Sequence, residues 1–175
     1  KNLIKYLSIK RCSDQCVGIF HIRKGEWFVF LTSPFRDDFI IRESLDDIVP
    51  CMPKIILILE SPHVQEYIGT VGPAKGKTGE NIRQYLEEIL SKRLNLDVQK
   101  EYEFQLILME AISYQCSLGV GTKHFRDKVF YKCWDAFGRK DFINRLQEIY
   151  NPKTDKIINA ATEGNTRSEE RRVGK

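Results

Sequence analysis

The run from Lys54 to Ile82, KIILILESPHVQEYIGTVGPAKGKTGENI, holds the residues best suited to chemistry. Five consecutive apolar residues, Ile55 to Leu59, read as a strand covered on both faces. Glu60 leaves the core where that strand ends, and Ser61, Pro62 and His63 follow it. A loop rich in glycine and proline then enters a helix at Thr78-Gly79. A charged residue at the end of a buried strand, followed by a glycine loop against a helix N-terminus, is how α/β proteins build sites for phosphorylated ligands. The candidate phosphate contacts are Gly76, Lys77, Thr78 and Gly79, with Lys75 beside them. Glycine lets the backbone approach an anion, and the helix points its first N–H groups at it.

The segment GPAKGKT does not make a nucleoside-triphosphate P-loop. That pattern requires glycine five residues before Gly76, where the chain has Val71. Lys123, His124 and Arg126, around and after the Gly119-Val120-Gly121 turn, could track a nucleic-acid backbone or form an ordinary solvated loop.

The elements that would position these residues follow from periodicity. Val17 to Arg23 and Glu26 to Thr32 flank Lys24-Gly25, a two-residue hairpin signal. Phe39 to Arg42 reads as a further short strand and Glu43 to Val49 as a turn of helix stopped by Pro50. Together, residues 1–50 read as a β-rich extension ahead of the main fold. After the Glu60 strand, Ile82, Tyr85, Leu86, Ile89, Leu90 and Leu94 recur at helical spacing. Phe104 to Met109 is a second buried strand. Phe125, Val129, Phe130, Cys133, Trp134 and Phe137 make another helical stripe, interrupted at Gly138. Phe142, Ile143, Leu146, Ile149 and Tyr150 begin a third helix, stopped at Asn151-Pro152, and Lys156 to Ala161 is the third strand. This β-α-β-α-α-β order predicts a three-layer α/β sandwich on a mainly parallel sheet, occupying residues 51–166.

The last nine residues, RSEERRVGK, look like an in-frame translation of a sequencing adapter and are set apart from the fold. Removing their four basic and two acidic residues takes the formal charge from +4 to +2. That balance permits nucleic-acid binding without arguing for it. Roughly 166 residues suffice for one domain with a core. Five cysteines, an odd number, with no secretory signal and no apolar span, suggest reduced thiols and a cytoplasmic, non-membrane protein, expected as a monomer.

Glu60-Ser61-Pro62-His63, then Glu66, then Pro73-Ala74-Lys75-Gly76-Lys77-Thr78-Gly79, resembles the first signature of the uracil-DNA glycosylase superfamily. Its iron–sulfur branch reads Gly-Glu-x-Pro-Gly, an acidic residue, then Pro-Phe-x-Gly-Arg-Ala-Gly. Leu106 to Ile112 resembles that superfamily's strand ending in Asn-Ala or Asn-Val, and IINAATEG its later strand ending in small residues. The resemblance spans Lys54 to Gly164. It implies a four-stranded parallel sheet with a crevice at the strand ends, and hydrolysis of the N-glycosidic bond of a base flipped out of DNA. On that reading Glu60 is the catalytic carboxylate and Ser61 and Glu110 line the base site. His63 stacks on the base or titrates near neutral pH, with a structural histidine as the alternative.

Two positions depart from the pattern. Another branch reads Gln-Asp-Pro-Tyr-His, and its acidic residue falls on Ser61, which cannot carry a charge. Glu110 stands where the family reads uracil with Asn; an ionised Glu only accepts, and would favour an amino-bearing edge of cytosine or guanine. The family's second signature, which carries a His, would lie beyond Gly164. The resemblance also raises a cofactor. Cys12, Cys16, Cys116 and Cys133 echo the ligand layout of the iron–sulfur branch, although no cofactor is the simpler expectation and buried unligated cysteines are common. A module that keeps the base and phosphate crevice without catalysis, binding nucleic acid or a nucleotide, is the alternative function.

Overall fold

The computed structural model describes residues 10–23, 26–31, 51–94, 96–97, 100–116 and 126–161. The expected elements at Phe39 to Arg42 and Glu43 to Val49, the 119–121 turn, and residues 162–175 lie outside them. Strands β1 (Gln15–Arg23), β2 (Glu26–Leu31), β3 (Lys54–Leu59), β4 (Tyr102–Glu110) and β5 (Lys156–Asn159) form one sheet of order β2-β1-β4-β3-β5. Pairing is parallel for β3 with β4 and with β5, and antiparallel for β1 with β2 and with β4. The sheet is therefore mixed, with β3, β4 and β5 parallel and β1 antiparallel to them, and it has five strands where four parallel ones were expected. The hairpin expected as a separate extension is part of it. β1 pairs with β4 from Gln15↔Leu108 to Ile22↔Tyr102, with one register shift between Cys16 and Gly18. Phe20 and Ile22 alternate, and the register shift brings Val17 onto the same apolar face, which needs covering; β4 offers the open edge that accepts β1.

Helix α1 (Lys77–Arg93) joins β3 to β4. Ile82, Leu86, Leu90 and Leu94 lie one turn apart and are buried against Ile55, Leu57, Leu106 and Leu108. Tyr85 and Ile89, expected on the same face, flank that stripe and are exposed. Helices α2 (Arg126–Cys133) and α3 (Arg139–Ile149) join β4 to β5. Phe142, Leu146, Ile149 and Tyr150 cover Ile56, Ile58, Ile107 and Met109 on the opposite sheet face, while Ile143 is exposed. One helix layer thus lies on each side of the sheet.

Gly138 does not break the helix. A π turn, Trp134–Gly138, carries it through, with helical backbone on both sides. The extra residue re-phases the apolar stripe: Phe130, Trp134 and Phe137 face Ile112, whereas the next turns face the sheet. Glycine fits there because a Cβ would stand 3.0 Å from Ile112 Cγ1 and 3.2 Å from the Cys133 carbonyl oxygen.

The amino ends of β3 and β5 are tied by Asp155. Its carboxylate accepts from Lys54 N–H at 3.0 Å, Asn151 N–H at 2.8 Å and the Thr154 hydroxyl at 3.0 Å, and stands 3.6 Å from the buried Lys54 ammonium. Replacing Asp155 with Asn keeps one acceptor oxygen but removes the charge facing Lys54. The expected loss is about 1–2 kcal/mol in urea unfolding, with the slope unchanged.

Candidate functional site

The order β4-β3-β5 means the chain leaves β3 for one side and returns to the other. Open α/β sheets place their ligand crevice outside the carboxyl ends of the strands at such a reversal. Glu60 is the first residue past β3. Its carbonyl accepts from Ile112 N–H at 3.1 Å, and the Leu59 carbonyl from Ala111 N–H at 2.9 Å, so the ladder runs past both strand ends and holds Glu60 and Glu110 on adjacent tips. Glu60 is half-buried, as is Ser61, whose hydroxyl hydrogen-bonds the Cys116 thiol.

His63 is exposed and caps the short 3-10 helix Val64–Tyr67; its Nδ1 accepts from Gln65 N–H at 3.4 Å. That bond uses the Nδ1 lone pair and leaves Nε2 facing outward from the cap. The same helix buries Glu66. Glu66 was seen in the sequence only as one acidic residue of the signature. A carboxylate inside a loop gives no periodic signal of burial.

Glu110 is only 2% exposed. Burial drives its carboxyl well above the ordinary range, helped by Glu66, Asp14 and Glu60 and opposed by Arg145. The neutral acid is thereby favoured, and it donates as well as accepts. The base preference expected of Glu110 belongs to its ionised form. Oε2 of Glu66, Oε2 of Glu110 and the Ser113 hydroxyl are buried without a hydrogen-bond partner among the described residues.

Beneath this cluster lies an ion pair with no sequence signal. Arg145 Nη1 reaches both oxygens of the buried Asp14 at 2.6 Å, and Nε donates to Asp141 at 2.7 Å. Nη2 donates to the Glu110 carbonyl at 2.8 Å and the Ala111 carbonyl at 3.4 Å. One guanidinium thus joins the approach to β1, helix α3 and the tip of β4. Residues 14 and 145 are 131 apart in the chain, a contact only the sheet pairing creates.

The glycine loop meets the first half of the signature. A Cβ on Gly76 would collide with the Gln65 side chain, so the start of α1 packs against the 3-10 helix. Gly76 caps α1 without a side-chain bond, and its carbonyl accepts from Gly79 and Glu80 N–H. Lys77 and Thr78 are exposed in the first turn, with Gly79 buried behind them. The two lysines are committed locally. Lys75 Nζ donates to the carbonyls of Ile68, at 2.6 Å, and Thr70, and Lys77 Nζ pairs with Glu80 at 2.8 Å. Lys75 therefore shapes the loop, and an anion at this helix would have to compete with Glu80 for Lys77. Ala74, buried at φ 56°, holds the left-handed backbone that turns the loop into the helix.

Cys116 and Cys133 hydrogen-bond each other. Burial pushes the Cys116 thiol up, Cys133 adds to this, and Ser61 pulls the other way. Cys12 is tied by its N–H to the Ser113 carbonyl at 2.8 Å, and Cys16 packs with Ile56, Ile107 and Met109. These four cysteines do not converge as one ligand set. Among the described residues no group of three or more His, Cys, Asp or Glu is placed to hold a metal ion. Lys123 and His124 lie outside the described residues, and of Arg126 only the backbone is described.

The class defined by sheet and helices is α/β. Among the described residues no helix is long and apolar enough to cross a membrane. In comparisons with family models, curated proteins and solved structures, none matched this chain.

Proposed function

We propose that the carboxyl ends of β3 and β4 form a nucleobase crevice in the manner of the uracil-DNA glycosylases, and that the chain hydrolyses the N-glycosidic bond of a base flipped out of DNA. One observation carries the reading. Glu60 is a half-buried carboxylate just past the end of β3, beside Ser61 and on the loop that carries His63 and Gly76. N-glycosidic cleavage passes through an electron-poor sugar, which such a carboxylate stabilises while it orients water. His63, exposed on that loop, stacks on the base or donates to it as it departs. The exposed first turn of α1 supplies N–H groups for a flanking phosphate.

The second reading is a crevice that binds nucleic acid or a nucleotide without cleaving it. Ser61 favours it, because it carries no charge where another branch of that superfamily has its acidic residue. Single-turnover release of base from oligonucleotides carrying uracil, hypoxanthine or a mismatched base separates the two. Product above the protein-free rate supports hydrolysis. Binding without product supports the second reading, and neither binding nor product defeats both.

A further inference from the structure

Helix α2 and the π turn that continues it carry Phe130, Tyr131 and Trp134. The rings of Phe130 and Trp134 lie nearly parallel, 6.1 Å between centroids at 11°, and Tyr131 meets Phe130 edge to face at 6.1 Å. Phe130 and Trp134 are half-buried, whereas Tyr131 is 56% exposed. A single exposed tyrosine is ordinary. Here it stands three residues before Trp134, which makes the two side chains neighbours on the helix surface. Lys132, Arg139 and Lys140 are exposed around these rings, with Asp135 as the exposed opposing charge, while Asp141 is held by Arg11 and Arg145.

This aromatic face begins where the crevice ends. Ile112 N–H donates to the Glu60 carbonyl at 3.1 Å. The Ile112 side chain also underlies the π turn, where a Cβ on Gly138 would stand 3.0 Å from its Cγ1. Phe130 and Trp134 pack on the buried cluster that contains Ile112. One residue thus links the Glu60 backbone to the aromatic cluster.

We propose that Tyr131 and Trp134 form a stacking platform for the unpaired bases of a single DNA strand running on from the crevice, with Lys132, Arg139 and Lys140 contacting its phosphates. The strand's direction rests on the crevice reading above; stacking on the rings requires no cleavage. Every base has a π face, so aromatic rings accept any of them, and basic groups track the backbone without reading sequence. Inside a duplex those base faces are already stacked on one another, so the platform selects single strands.

Labelled oligothymidylate, which carries no uracil, tests the platform apart from the crevice. Fluorescence anisotropy should show affinity falling by about 5–150-fold in Tyr131→Ala, the range for one lost stacked base, and returning to within about twofold of native in Tyr131→Phe. Because Tyr131 is exposed, its truncation leaves the fold intact. Lys140→Gln should flatten the plot of log affinity against log salt by about 0.7, the share of one phosphate contact. In the native protein the indole N–H resonance of Trp134 should move on binding. That of Trp27 should not, since Trp27 pairs with Ile22 opposite Tyr102, at the other end of β4. Unchanged affinity in Tyr131→Ala, a stationary Trp134 indole, or duplex bound as tightly as single strand would each overturn the platform. Failure of the crevice looks different: Trp134 would respond to oligothymidylate while Glu60 to Glu66 stayed still with a uracil-bearing strand, and the platform would stand.

Discussion

Replacing Arg145 with methionine should cost about 3–5 kcal/mol of stability, the largest loss expected from any substitution considered. Methionine fills much of the volume of the arginine stem and keeps its packing beside Phe142, so the change is mainly one of charge and hydrogen bonding. Asp14 would be left buried with its principal counter-charge gone, and the carbonyls of Glu110 and Ala111 would lose their shared donor. The loss should depend on pH. Burial already raises the Asp14 carboxyl against the pull of Arg145, and removing the guanidinium raises it further. Below the ordinary carboxylate range Asp14 is protonated in both folded and unfolded states. As pH climbs, the variant's folded state holds a proton that the unfolded state gives up, so its stability falls. Denaturant midpoints should therefore separate more at pH 8 than at pH 5. Equal separation at both would mean that Asp14 stays ionised without Arg145.

The second large effect is on turnover. Glu60→Gln should lower single-turnover base release by about 10²–10⁴-fold while leaving DNA affinity within about twofold. Glutamine matches the glutamate in size and keeps an oxygen, and the backbone bond from Ile112 N–H to the residue-60 carbonyl is untouched. What it removes is the negative charge that an electron-poor sugar requires and the ability to accept a proton from water. If affinity falls and turnover does not, Glu60 is a contact in a binding crevice and not the catalytic carboxylate.

Periodicity carried much of this fold. The unbroken apolar run before Glu60, the stripe of Ile82, Leu86, Leu90 and Leu94, and the hairpin around Lys24-Gly25 each impose a local geometry that the sheet and helices keep. What the sequence left open was long-range. Phe20 and Ile22 show an apolar alternation that Val17 joins only through the register shift at Cys16/Gly18, and the sequence does not say which edge it will meet; β1 docks on β4, 80 or more residues away. Gly138 reads as a stop because glycine weakens helices, yet close packing against Ile112 makes it the residue that lets the helix pass. The site divides the same way. Glu60, Ser61, His63 and the Gly76 loop could be placed from one contiguous signature. Glu66 could be placed there as an acidic position but not as a buried one. Asp14 and Arg145 could not be placed at all, since a buried ion pair is recognised only by its partners and these two come from distant segments.

The crevice itself is the central claim, and backbone chemical-shift mapping during titration with a short single-stranded DNA carrying uracil tests it without requiring turnover. The account predicts shifts concentrated at Glu60 to Glu66, Gly76 to Gly79 and Glu110 to Ser113, weakening as salt is raised because phosphate contacts contribute. Shifts confined to other surfaces, or none up to millimolar DNA, would contradict it.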